Sequence, residues 1–128
     1  MIECKFRRIR DPVTGAYDGY ELIVQGHAGA APVGQDVVCA YVSGIVQALG
    51  GYLLNAEQAV SPHVVLRSGS ATISARGDLA QAFEMAYIGL LQAAESYPER
   101  VWVERERRGD FFPHLFYNGG TTRRRDGA

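Results

Sequence analysis

The sequence predicts an α+β fold of order ββαββαβ, with a mostly antiparallel sheet packed with two main helices. Three observations carry that expectation. Apolar and polar residues alternate over residues 2–7 and 20–25, apolar residues recur at steps of three and four from Val38 and from Leu79, and the strand-like segments come in pairs separated by the helical ones.

Taken in order, Ile2, Cys4 and Phe6 alternate with Glu3, Lys5 and Arg7, and Tyr20, Leu22 and Val24 alternate with Glu21, Ile23 and Gln25, so both segments read as half-buried strands. The turn-rich "DPVTGAYDG" between them reads as a hairpin connection. From Asp36 the period changes: Val38, Val42, Ile45, Leu49 and Tyr52 lie on one helical face, and the Gly50-Gly51 pair reads as the helix stop. "HVVLRSG" and "SATISAR" form a second strand pair turning at Ser68-Gly69. Asp78 is placed to cap a second helix whose stripe is Leu79, Phe83, Ala86, Leu90 and Ala93, ending at Tyr97-Pro98. "RVWVERER" then has the composition of a final strand, with Trp102 half-buried.

A chain of 128 residues with 47% hydrophobic content fits one domain with a real core, expected over residues 1–108, followed by a partly disordered tail over 109–128. The net charge of -1 excludes an overall field that would demand nucleic acid or membrane as partner. The balance is uneven, since residues 1–99 carry net -4 and residues 100–128 net +3. Arg123, Arg124 and Arg125 could touch RNA, though a solvated basic tail is the ordinary reading. Cys4 and Cys39 are expected as two free thiols in a cytoplasmic protein, because the opening "MIECKFRRIR" lacks the apolar core of a secretory signal. Residues 37–54 run for eighteen positions without a charge, which reaches the lower limit of a membrane span. Ser43, Gln47 and the glycines favour a buried helix of a small domain instead.

The stretch "GHAGAAPVGQDVVCAYVSG" raises the chemical question. Asp36 precedes the first periodic apolar residue, where a short carboxylate accepts from orphan backbone N–H groups. That puts Cys39 in the first helical turn, where unpaired N–H groups and the positive end of the helix dipole favour a thiolate. His27 ends the second strand, and the eight-residue connection "AGAAPVGQ" is long enough to fold the imidazole back beside the sulfur. Such a pair is a standard means of making sulfur nucleophilic at neutral pH. Each piece also has a plainer reading: a small buried thiol, a loop histidine and a helix cap.

The string "GHAG", then Gly34, then "DVVCAYVS" resembles the signature of the ribosomal-processing cysteine protease family, and the resemblance extends over about residues 1–107. It implies an endopeptidase that removes the N-terminal extension of the precursor of large-subunit ribosomal protein twenty-seven, acting as a homodimer without cofactor or metal. Carried over by position, Cys39 is the nucleophile and His27 its base, while Asp36 and Ser43 support them. The Cys39 backbone N–H is the expected oxyanion donor. Gly26 allows close backbone approach, and Gly29 and Gly34 belong to a moving substrate loop. Ala30 and Pro32 stand where the family usually has tyrosine and glutamate, and Val33 and Gln35 also depart, so substrate contacts by those side chains are lost.

Cys4, alternating with Ile2 and Phe6, reads as core packing. A zinc site drawing on His27, Cys39 and either His63 or His114 matches no recurring ligand spacing. The rival function is a non-catalytic ribosome-associated binding protein on the same scaffold, acting through its surface and basic tail.

Overall fold

A computed structural model describes residues 1–29 and 36–104. The chain forms β1 (Ile2–Arg10), β2 (Tyr17–Gln25), α1 (Val37–Asn55), β3 (Val60–Arg67), β4 (Ser70–Arg76), α2 (Ala80–Ser96) and β5 (Val101–Val103). This is the α+β order ββαββαβ. The five strands make one sheet in the order β3-β4-β2-β1-β5. All neighbours are antiparallel except β1 and β5, which pair in parallel with Ile2 opposite Val101 and Cys4 opposite Val103.

Register keeps the apolar set on one side. Phe6 faces Leu22, Leu22 faces Ile73, and Cys4 faces Val24, all buried on the side the helices cover. Their alternating neighbours, among them Glu3, Arg7, Glu21 and Ser74, form the other face. Tyr87 of α2 meets Phe6 edge-on with ring centroids 5.2 Å apart, and Phe83 stacks on Tyr20 at the same separation. The helices in turn meet where Gly89 of α2 abuts Ile45 of α1, at which a Cβ would lie 3.0 Å from Ile45 Cδ1.

The β1–β2 connection is a hairpin turn. Asp11 Oδ1 accepts from the N–H groups of Val13 and Thr14, and Gly15 takes the positive φ of 74° that the turn requires. Arg76 of β4 then pairs with both Asp11 and Asp18.

Two helix boundaries differ from the sequence expectation. Helix α1 does not stop at Gly50-Gly51 but continues to Asn55. Gly50 is buried, and a Cβ there would lie 2.9 Å from Val64 Cγ1, so its hydrogen lets the helix lie close on the sheet. Asp78 does not cap α2; the cap position is Leu79, without a side-chain cap bond. Leu79 is buried, and its carbonyl accepts from Phe83 N–H, so packing sets the helix start. The buried stripe of α1 also runs through Val46 and Leu53 in place of Ile45 and Tyr52, and Tyr52 is exposed. By length and composition alone α1 could cross a membrane, and a third of its apolar window is buried inside the fold.

Cys4 is fully buried in the core, as its alternation predicts. Trp102 is 43% exposed, between the buried Val101 and Val103. The expected boundary at residue 108, the tail over 109–128, His114 and the three tail arginines lie outside the described residues, as do Ala30, Pro32, Val33, Gly34 and Gln35 of the loop.

Candidate active site

Helix α1 begins as the sequence demands. Asp36 sits in extended backbone and its Oδ1 accepts from Val38 N–H over 2.9 Å and from Cys39 N–H over 3.0 Å. One buried carboxylate thereby satisfies two of the orphan donors of the first turn and holds Cys39 at the third helical position. The Cys39 N–H is consequently engaged, and the expected role of that group as oxyanion donor does not fit this arrangement. The N–H that faces the sulfur is a different one: Ala28 N–H donates to Cys39 Sγ over 3.4 Å.

Ala28 belongs to the short segment that follows β2. Gly26 adopts φ 102°, and a Cβ there would collide with the carbonyl oxygen of Met1, so only glycine lets β2 leave the sheet so close to the chain start. Gly26 N–H donates to Gly69 O over 2.9 Å, tying the segment to the β3–β4 turn. The next side chain, His27, is exposed, and its ring lies over Gly69, where a Cβ would come within 2.6 Å of Nε2. Gly29 turns the chain again at φ 69°. Between these two glycines, Ala28 is buried and its carbonyl accepts from the Arg100 guanidinium over 3.1 Å.

These elements enclose a solvent-open cleft of about 620 Å³. One wall is the face of α1 carrying Cys39, Val42, Ser43, Val46 and Gln47, which recur at helical spacing. The opposite wall is the β3–β4 hairpin from Leu66 to Ala71, and Gly26, His27 and Gly29 form the rim above Ile2 and Val24. The lining is mostly apolar with a few polar groups among it, the composition usual for a ligand cleft. Cys39 is half-buried, so its sulfur is reachable from the cleft.

The cleft unites His27, Cys39, Asp36, Ser43, Gly26 and Gly29, six of the residues singled out in the sequence; Gly34 lies outside the described residues. Among the described residues no hydrogen bond joins the imidazole to the sulfur; the ring rests on Gly69 instead. His63 is an exposed residue of β3 opposite Ser74. Among the described residues no group of three or more His, Cys, Asp or Glu side chains is arranged to hold a metal ion. Sequence reasoning missed Gly69, Ala28 and Arg100. Gly69 was visible as a turn residue, whereas nothing in the local sequence ties Arg100 to a loop 72 positions earlier.

A sulfur at a helix start, in an open cleft rimmed by an imidazole on an α+β sheet, fits a cysteine protease, a hydrolase. A sequence model described as cysteine protease Prp matches residues 1–102, and the chain belongs to that family. Among solved structures, two are of an essential ribosomal processing protease Prp from S. aureus. The form with a covalently linked product peptide is 21% identical, with TM-score 0.64, covering 81% of this chain and 98% of that one. The form with a substrate peptide is 17% identical, with TM-score 0.57 and the same coverage. A third is SMU.848 from Streptococcus mutans, 28% identical with TM-score 0.55, covering 81% of this chain and 92% of that one. The search of curated proteins returned no match.

Proposed function

We propose that this cysteine protease removes the N-terminal extension of the precursor of large-subunit ribosomal protein twenty-seven, with Cys39 as nucleophile and His27 as general base. The observation that carries the reading is the shared cleft: the sulfur and the imidazole line one solvent-open groove, and a backbone N–H is directed at the sulfur. The ribosomal substrate is supported by the relatives described as ribosomal processing proteases bound to peptides.

The chemistry follows from these groups. His27 is exposed, so its ring is free to change rotamer, and the reaction requires it to leave Gly69 for Sγ. Catalytic hydrogen bonds are often long or poorly aligned before substrate arrives. The imidazole takes the thiol proton, and the thiolate attacks the scissile carbonyl to give a tetrahedral oxyanion. The imidazolium then protonates the leaving amine, the C–N bond breaks, and the extension stays on Cys39 as a thioester. Water, deprotonated by the same imidazole, attacks the thioester and releases the extension with a free carboxylate. Asp36 fixes the helix start that presents the sulfur, and Ser43, one turn further along α1, lines the same cleft. Gly29 and Gly34 belong to the substrate loop. In this proposal the enzyme acts in the cytoplasm, where ribosomal proteins are made, as a homodimer.

Incubation with the same organism's precursor, followed by intact mass, tests this. Wild type is expected to release the extension and Cys39→Ala to leave the precursor whole; no cleavage by wild type, or equal cleavage by the variant, defeats the proposal.

A further inference from the structure

Ala28 is held from both sides. Its N–H points at Cys39 Sγ over 3.4 Å and its carbonyl accepts from Arg100 Nη1 over 3.1 Å. Arg100 stands in the turn between α2 and β5, and two backbone bonds fix where its side chain begins. Its N–H donates to Tyr97 O over 2.9 Å, and its carbonyl accepts from Ile2 N–H over 2.8 Å. The guanidinium thus reaches the site from a position anchored to the sheet. Ala28 lies beyond the last ladder residue of β2, so no neighbouring strand fixes its peptide groups. It also lies between two glycines at positive φ, Gly26 and Gly29, whose freedom would otherwise let the intervening backbone swing.

We infer that Arg100 is a positioning residue for the Cys39 sulfur: by holding the Ala28 carbonyl it keeps the Ala28 N–H aimed at Sγ. This rests on the reading of Cys39 as nucleophile. The two peptide groups of Ala28 share one Cα, so fixing the second limits the rotation that would carry the first away from the sulfur. A hydrogen bond to a charged acceptor is roughly twice as strong as one to a neutral acceptor, so this N–H favours thiolate over thiol. Arg100 touches neither the sulfur nor the peptide bond being cleaved in this scheme. Its loss therefore acts on the fraction of Cys39 present as thiolate and on kcat, with KM nearly unchanged.

The test compares wild type with Arg100→Gln and Arg100→Lys. Cys39 labelling by iodoacetamide at neutral pH is followed by peptide mapping, and precursor cleavage is measured in parallel. Arg100→Gln is expected to slow both by about tenfold, the effect of losing about one charge-assisted hydrogen bond, with KM nearly constant. Arg100→Lys, which keeps a cationic donor on a long stem, is expected to recover part of both rates. In wild type the Ala28 amide proton, read by nitrogen-edited NMR, is expected to shift when Cys39 is alkylated; this needs no variant to fold. Wild type that labels fast and cleaves, beside a folded Arg100→Gln that matches it, overturns the role of Arg100 and leaves the protease reading standing. An Ala28 amide indifferent to alkylation overturns that role as well. Wild type whose Cys39 labels no faster than free cysteine overturns the protease reading and the inference with it.

Discussion

The imidazole of His27 rests on the backbone of Gly69, with Nε2 only 2.6 Å from where a Cβ would stand. The turn of the second hairpin is thus a platform for the exposed side chain that would act as base, and the bond from Gly26 N–H to Gly69 O keeps the two loops together. Gly69→Ala is expected to displace the ring from this resting place, while the positive φ of 74° adds about 1 kcal/mol of strain. Imidazole NMR shifts beside thermal unfolding check this; ring shifts and stability equal to wild type would show that His27 does not rest on this turn.

Asp36 gives a second prediction. Asp36→Ala leaves the N–H groups of Val38 and Cys39 without their acceptor. The expected cost is about 1–2 kcal/mol in denaturant unfolding, the range for loss of a helix cap. Asp36→Asn, which keeps a side-chain oxygen, is expected to lose less. Equal losses would mean that charge, not capping, is what this position supplies.

Alkaline stability should report on Cys4. Burial pushes the Cys4 thiol up to about 12. The folded protein therefore holds this proton where the unfolded chain releases it. The contribution is fully present below the unfolded value of about 8.5 and is lost as pH rises from there toward 12, at up to about 1.4 kcal/mol per pH unit. In urea unfolding at pH values spanning that window, Cys4→Ala should start less stable and lose stability less steeply. A slope equal to wild type would contradict the burial of an uncharged thiol.

At the other end of the scale, bonds from Val13 and Thr14 N–H, with Arg76 nearby, hold the Asp11 carboxyl below its ordinary range. The sign is opposite to that of Cys4. The stabilisation is present above the unfolded carboxylate value of about 3.9 and disappears as pH falls through the folded one. Asp11→Asn should weaken the acid dependence of unfolding between about pH 5 and 2, measured against wild type. An unchanged acid limb would count against the turn geometry.

Much of this arrangement was legible in the sequence because its signals are local. Alternation in Ile2, Cys4 and Phe6 reports a one-sided sheet, Asp36 three positions ahead of Cys39 reports a capped helix, and "GHAG" reports a glycine-flanked histidine. What escaped depends on distant packing. Gly50-Gly51 looked like a helix end because local sequence cannot reveal Val64 pressing on Gly50. Asp78 looked like a cap because its chemistry suits one, yet the burial of Leu79 set the boundary. The engaged Cys39 N–H and the reach of Arg100 to Ala28 likewise need the folded chain.

The central claim is that the His27 imidazole activates the Cys39 sulfur, and the most direct measurement is the rate at which iodoacetamide modifies Cys39 at neutral pH in wild type and in His27→Ala. Wild type should react well above the rate of free cysteine, and the variant at least about tenfold more slowly, in keeping with the 10²–10⁴-fold typical of general base catalysis. Equal rates in the two proteins would contradict the account.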